Sequence, residues 1–299
     1  MFPGFLEKPE RLQALLTDVF NEQSGFVLHE YTAPASVAAL TTAHTPAYVQ
    51  QVARLSFMNP VLAVFCQMRD KRLQWYTRVG PGSFMAARYA AGTVLQAVKD
   101  VASGDVTRAF CALRPPGHHA GPERGEGFCL FNNVAIGAIA ARKAGFERVA
   151  IVDFDRHHGN GTEAIVANQN DAGLLFISSY QEGCKYAGAA PAAGSVHVPI
   201  PSRGGYEAVS RLYENTVIPK LREFGPDLLM FSAGFDMHRS DPLSSIRLEA
   251  ADYYDLTRHL AGAAEGSTKG RVVSVLEGGY GRPALVQCVR QHLAALRAE

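Results

Sequence analysis

Short runs of apolar and β-branched residues alternate along the chain with longer segments whose apolar positions recur every three or four residues. The runs Arg108–Leu113, Arg148–Asp155, Leu174–Tyr180, Val196–Ile200, Asp227–Asp236 and Arg271–Tyr280 predict strands. Several are apolar without interruption, as strands buried on both faces should be. The segments Pro9–Phe20, Pro46–Leu55, Ser83–Val101, Asn132–Ala144, Gly161–Asn168, Tyr206–Glu223, Glu249–Ala264 and Arg282–Ala298 predict helices, each with one apolar stripe. Together they predict an α/β protein with a mostly parallel, helix-covered sheet. Residues 57–79 carry the weakest pattern.

The polar residues gather where the predicted strands end. "RPPGHHA" follows the strand ending at Leu113, "DFDRHH" closes the next, and "SAGFD" and "LEGGY" close the last two. Ligands of open α/β sheets bind beyond the carboxyl ends of the strands, so these clusters converge on one candidate site.

Composition narrows the class. The chain of 299 residues, 47% apolar and 19% charged, has no linker-like segment, and it reads as one domain over residues 1–299. A net charge of +1 argues against a surface built for nucleic acid. Five scattered cysteines without CxxC spacing suggest neither disulfides nor a thiolate zinc site, and point to a reducing compartment. No signal peptide or apolar span is legible, so a cytoplasmic protein away from membranes is expected. Oligomeric state is not legible.

The chemistry follows from residue types and spacing. In "DFDRHH", alternation would let Asp153, Asp155 and His157 project together while Phe154 packs inward. Carboxylates with an imidazole suit zinc or ferrous iron, and Asp236 at another strand end is the natural third ligand. A bland reading makes Asp155 and His157 caps of the following helix; the convergence of four clusters outweighs it. His158 falls on the other side and is expected to be structural. His118 and His119 follow Pro115, Pro116 and Gly117 and are expected to act as general base and acid, in either order, with Asp153 and Asn160 as candidates to orient them. Tyr280, after Gly278 and Gly279, could donate to a developing oxyanion.

The ordered set "RPPGHHA", "GFCLFNN", "VDFDRHHGNGT", "SAGFDMHRSDPL" and "LEGGY", preceded by "EKPERLQALL" and "HTPAYVQQV", resembles the histone deacetylase superfamily over almost the whole chain. The resemblance implies an arginase-like three-layer α/β/α fold and one catalytic zinc per chain held by Asp155, His157 and Asp236. It implies His118 and His119 as tandem catalytic histidines and Tyr280 as the transition-state donor. Asp153 would orient His118 and join a structural potassium site with backbone carbonyls of Asp155, His157 and Ser179 and the Ser178 hydroxyl. Asn160, paired with His119, resembles the class II branch.

Phe128 and Tyr186 match the walls of a substrate tunnel, with Gly127 beside them; Leu243 matches lysine deacetylases better than the polyamine-selective branch. Arg11 matches an arginine near an acetate channel. The implied substrate is an acetylated lysine, a peptide carrying it, or a small N-acyl amine. Rival readings are an acetylpolyamine amidohydrolase, a two-manganese arginase-type hydrolase and a non-catalytic acyl-lysine binding protein.

The sequence also departs from the family pattern. Lys8–Leu12 comes almost at once, without the preceding strand; "YAGAA" replaces "YPGTG"; and Gln74–Gly80 lacks the rim acid. Arg156 replaces a usually apolar residue and is expected to reach a carboxylate or solvent.

Overall fold

The structure, a computed structural model, describes residues 6–20, 26–30, 33–69, 72–74, 76–188 and 190–298. Six strands form one sheet: β1 (Arg108–Cys111), β2 (Val149–Asp153), β3 (Leu174–Gln181), β4 (Ser195–Ile200), β5 (Leu228–Ala233) and β6 (Val272–Leu276). Their spatial order is β1-β6-β5-β2-β3-β4, and every neighbouring pair is parallel. Parallel pairing needs crossovers, and helices supply them except between β3 and β4, where none is described. They are α1 (Glu10–Asp18), α2 (Val37–Leu40), α3 (Pro46–Phe57), α4 (Pro60–Arg69), α5 (Ser83–Ser103), α6 (Asn133–Lys143), α7 (Asn160–Gln169), α8 (Tyr206–Leu212), α9 (Ile218–Phe224), α10 (Ala250–Thr268) and α11 (Arg282–Arg297).

The uninterrupted apolar strands are explained by burial on both faces. On one face, Ala150, Val152, Leu229 and Phe231 pack with Leu256 and Leu260 of α10 and Leu285 and Val289 of α11. On the other, Val149, Ile151, Leu228 and Met230 pack with Val94 and Val98 of α5 and Val134 and Ala138 of α6. Alternate residues of one strand thus serve opposite layers, giving the three-layer α/β/α architecture.

The differences from the predicted elements have physical causes. β2, β5 and β6 end at Asp153, Ala233 and Leu276, short of the predicted Asp155, Asp236 and Tyr280. The chain leaves the ladder where its polar side chains turn toward one another. Helices α2 and α4 were not predicted; α4 lies in the weakly patterned stretch. The predicted Tyr206–Glu223 helix contains a π-turn at Tyr213–Val217, just before Pro219, whose missing N–H cannot continue the regular ladder.

From β2 the chain moves outward to β3 and β4, then returns to place β5 on the other side of β2. This reversal makes the carboxyl ends of β2 and β5 the topological switch point of the sheet. Asp155 follows β2 and Asp236 follows β5.

Candidate active site

Three donors meet at the switch point. Ligand atoms of Asp155, His157 and Asp236 lie within 4.8 Å of one another. His157 Nδ1 is 3.0 Å from Asp155 Oδ1 and 3.1 Å from Asp236 Oδ2. Asp155 and His157 stand on the turn after β2, so it is this turn and not strand alternation that brings them together. Backbone amides fix both carboxylates. Asp155 Oδ2 accepts the Gly278 N–H at 2.9 Å, and its Oδ1 accepts the His157 N–H at 2.8 Å. Asp236 Oδ1 accepts the Arg156 N–H at 2.8 Å, while its buried Oδ2 has no hydrogen bond. A Cβ at Gly278 would collide with both carboxylates, so the LEGGY turn needs glycine there to pass close by. Two buried carboxylates, one with an orphan oxygen, beside an imidazole fit a divalent cation of the zinc type.

Two histidines face this cluster, and the protein treats them differently. His118 and His119 are both buried, with ring centroids 4.0 Å apart. His118 Nδ1 is 3.0 Å from Asp153 Oδ2, and its Nε2 is 3.8 Å from Asp155 Oδ1. Burial opposes charge on His118, but the neighbouring Asp155 and Asp153 carboxylates outweigh it and hold the imidazole well above its usual range. His119 Nδ1 is 2.7 Å from Asn160 Oδ1, a neutral acceptor. Burial, together with the positive character of His118 and His157, drives His119 well below the usual range. The surroundings thus favour charge on one ring and oppose it on the other.

The tautomer of His119 is set by residues the sequence reading missed. Asn160 Nδ2 donates to Glu126 Oε1 at 2.7 Å, and Gln74 Nε2 donates to Glu126 Oε2 at 2.6 Å. A carboxylate only accepts, so Asn160 must turn its carbonyl to His119. The His119 proton then sits on Nδ1, leaving Nε2 as an open acceptor. Glu126, in "GEGF", carried no signal beyond its charge between two glycines.

Glu277, also missed, holds the first histidine loop: its Oε2 accepts the Gly117 and His118 N–H groups at 2.7 and 3.1 Å. Burial pushes its carboxyl up to about 7. Behind it, buried Arg11 donates to Gly279 O at 2.7 Å and Glu277 O at 2.6 Å, with its guanidinium 4.9 Å from the Tyr280 ring centroid. Asp241 Oδ2 accepts the Tyr280 N–H at 2.6 Å and the Gly281 N–H at 3.2 Å, and its Oδ1 accepts the Leu243 N–H at 2.9 Å. Arg11 and Asp241 together fix the turn that presents Tyr280.

Aromatic residues wall the approach. The Phe128 ring lies 5.7 Å from that of Tyr280, and Tyr186 stacks on His119 at 3.9 Å. Gly127 at φ 55° and Phe128 at φ 69° take left-handed conformations in succession. A Cβ on Gly127 would run into the His119 ring. The unusual Phe128 backbone is held by its N–H donating to Thr77 Oγ1 at 3.1 Å.

The remaining expected residues lie beneath the site. Ser179 Oγ donates to Asp153 O at 3.0 Å and pairs with Tyr213 Oη at 2.6 Å. The Ser178 hydroxyl is bonded to His158 Nδ1 at 3.0 Å. The other nitrogen of His158 faces Glu163 at 3.0 Å, a buried hydrogen-bonded arrangement apart from the ligand cluster. Of the two expected outlets, Arg156 takes solvent: it is only half-buried, and among the described residues no carboxylate pairs with its guanidinium. Its Nε donates to Gln181 Oε1 at 2.9 Å and its Nη1 lies 2.8 Å from His157 Nε2.

Fold and site together define a parallel α/β protein with a metal-competent acid–base centre at the switch point of its sheet. A family model described as Histone deacetylase domain matches residues 5–296, and the chain belongs to the histone deacetylase family. It is 35% identical to a histone deacetylase-like amidohydrolase of Pseudomonas aeruginosa, over 99% of this chain and 78% of that protein. It is 40% identical to type-2 histone deacetylase 2 of Dictyostelium discoideum over 74% of this chain, but the match spans only 14% of that longer protein. The crystal structure of the HDA15 HD domain superposes with a TM-score of 0.84 and 30% identity, covering 97% of this chain and 82% of the other.

Proposed function

We propose that this chain is a zinc-dependent amidohydrolase that removes an acetyl group from an N-acetyl-lysine-like amine and releases acetate. The observation that carries the reading is the pairing of the Asp155–His157–Asp236 cluster with two histidines, one held by the Asp153 carboxylate and one by the Asn160 amide. One zinc ion, held by those three residues, would supply the positive charge that polarises the acyl carbonyl and eases ionisation of water.

The chain's own groups do the rest. Neutral His119 takes a proton at Nε2, because Asn160 and Glu126 hold its hydrogen on Nδ1. Cationic His118, backed by Asp153, donates a proton to the departing amine. The Tyr280 hydroxyl donates to the carbonyl oxygen as it becomes negative. Gly127, Phe128 and Tyr186 shape a slot for a slender acylated chain, with Leu243 on the loop tied to the Tyr280 turn. Asp153, Ser178, Ser179 and the carbonyls of Asp155 and His157 would hold a structural potassium ion beneath His118. Arg11 would meet the released acetate. Asp153 is engaged by His118, which supports one ion rather than an arginase-like pair. Acetate release from an acetyl-lysine peptide by zinc-loaded protein tests the reading; no release at any zinc loading would refute it.

A further inference from the structure

Arg156 occupies an unusual place, between two residues of the ligand cluster and with no countercharge. Its Nε donates to Gln181 Oε1 at 2.9 Å and its Nη1 is 2.8 Å from His157 Nε2, neither of them an anion. Among the described residues no carboxylate pairs with it. Its backbone N–H donates to Asp236 Oδ1, but that carboxylate belongs to the ligand cluster, where a divalent ion would balance it. A half-buried guanidinium with no counterion keeps donors and charge that a carboxylate from outside could engage.

Its surroundings show where that partner would come from. The His157 ring lies 6.2 Å from Tyr186, which stacks on His119. Gln181 Oε1, which holds Arg156, also accepts the Ser245 N–H at 3.1 Å, two residues beyond Leu243. Arg156 is therefore between the Tyr186 wall and the Leu243 loop, beside the slot. A second cation stands farther out: exposed Lys185 donates to Tyr76 Oη at 2.9 Å and lies 5.1 and 5.3 Å from the Tyr76 and Tyr186 ring centroids. Glu126 is bonded to Asn160 and Gln74, and Asp241 to the Tyr280 turn, so neither of these carboxylates pairs with Arg156. Arg156 and Lys185 thus place two cations beside the slot.

Resting on the deacetylase reading above, we propose that Arg156, with Lys185 at the outer edge, selects N-acyl amines that carry a carboxylate near the acylated chain and rejects polycations such as acetylpolyamines. The carboxylate comes from the free acid end of a small acyl-lysine or from an acidic residue flanking the acylated lysine in a peptide.

The test uses the zinc-loaded full chain and four substrates: Nα-blocked Nε-acetyl-lysine as the neutral amide, the same compound as the free acid, a peptide with aspartate on both sides of acetyl-lysine, and N1-acetylspermidine. At low salt, kcat/KM for at least one carboxylate substrate should exceed that of the neutral amide by about 5- to 20-fold, and acetylspermidine should fall below it; added salt should shrink both gaps. Whichever carboxylate substrate is preferred identifies the source. Arg156→Gln should bring the ratios toward one and Arg156→Lys should retain part of them. Because Arg156 touches His157, Lys185→Gln at the exposed edge supplies an independent variant, with a smaller drop in the same ratios. Equal kcat/KM for neutral and carboxylate substrates, unchanged ratios in both charge-removing variants, or a preference for acetylspermidine would overturn the proposal. Absence of acetate from all four would instead overturn the deacetylase reading on which it rests.

Discussion

Replacing Glu126 with alanine should impair catalysis although Glu126 touches no reacting atom. In the native site Asn160 Nδ2 is tied to Glu126 Oε1 at 2.7 Å, which forces Asn160 Oδ1 toward His119 Nδ1, also at 2.7 Å. Without the carboxylate the amide can reverse, offering a donor to His119 and moving the imidazole proton to Nε2, where it blocks the base. A hydrogen bond to a charged group contributes about 1.5–3 kcal/mol. Losing that bias corresponds to a fall in kcat of roughly 10- to 100-fold. Adding Asn160→Asp supplies a second test: both oxygens of an aspartate accept, so His119 Nδ1–H is held whichever way the side chain turns. The double variant should recover most of the lost kcat. Its acid limb should also move to higher pH, because a carboxylate beside His119 raises the imidazole pKa. The assay is kcat and KM for an acetyl-lysine substrate across pH, with thermal melting to confirm folding. Native kcat in a folded Glu126→Ala protein, or a double variant no better than the single one, would refute the argument.

Tyr280→Phe removes the donor aimed at the developing oxyanion and should lower kcat by about 100-fold or more with a smaller change in KM. The pH profile should be broad: activity is lost on the acid side only as pH falls through the lowered pKa of His119, and on the alkaline side only as pH rises through the raised pKa of His118. Asp153→Asn removes a carboxylate that raises His118, so its alkaline limb should shift to lower pH while the acid limb stays; an unmoved alkaline limb would contradict the proton-donor role. Asp236→Ala should reduce zinc affinity by a factor of 100 or more, on the order of one lost first ligand, read by chelator competition independently of turnover.

Much of this was legible in the sequence, for identifiable reasons. Parallel strands buried on both faces announce themselves as unbroken apolar runs, and β2 and β5 do so plainly. The convergence of Asp155, His157 and Asp236 could be inferred because strand ends in such sheets face one crevice. Strand ends themselves were misjudged by two to four residues, since "DFD" and "LEGGY" continue the apolar pattern while their backbones have already left the ladder. Glu126, Glu277 and Asp241 are invisible in the sequence because they work through hydrogen bonds that reach residues 34, 160 and 39 positions away, which no local pattern encodes. Arg156 stands out in the sequence, but its partners do not: Gln181 reaches it from the end of β3.

The central claim is that this constellation hydrolyses an N-acetyl amide only with its ion in place. The direct measurement is acetate released from an Nε-acetyl-lysine peptide by protein stripped with chelator and then titrated with zinc. Release should be absent from the stripped protein and rise to a plateau at one zinc per chain, with Asp236→Ala reaching no such plateau. Undiminished release from fully stripped protein, or a silent protein at one zinc per chain, would contradict it.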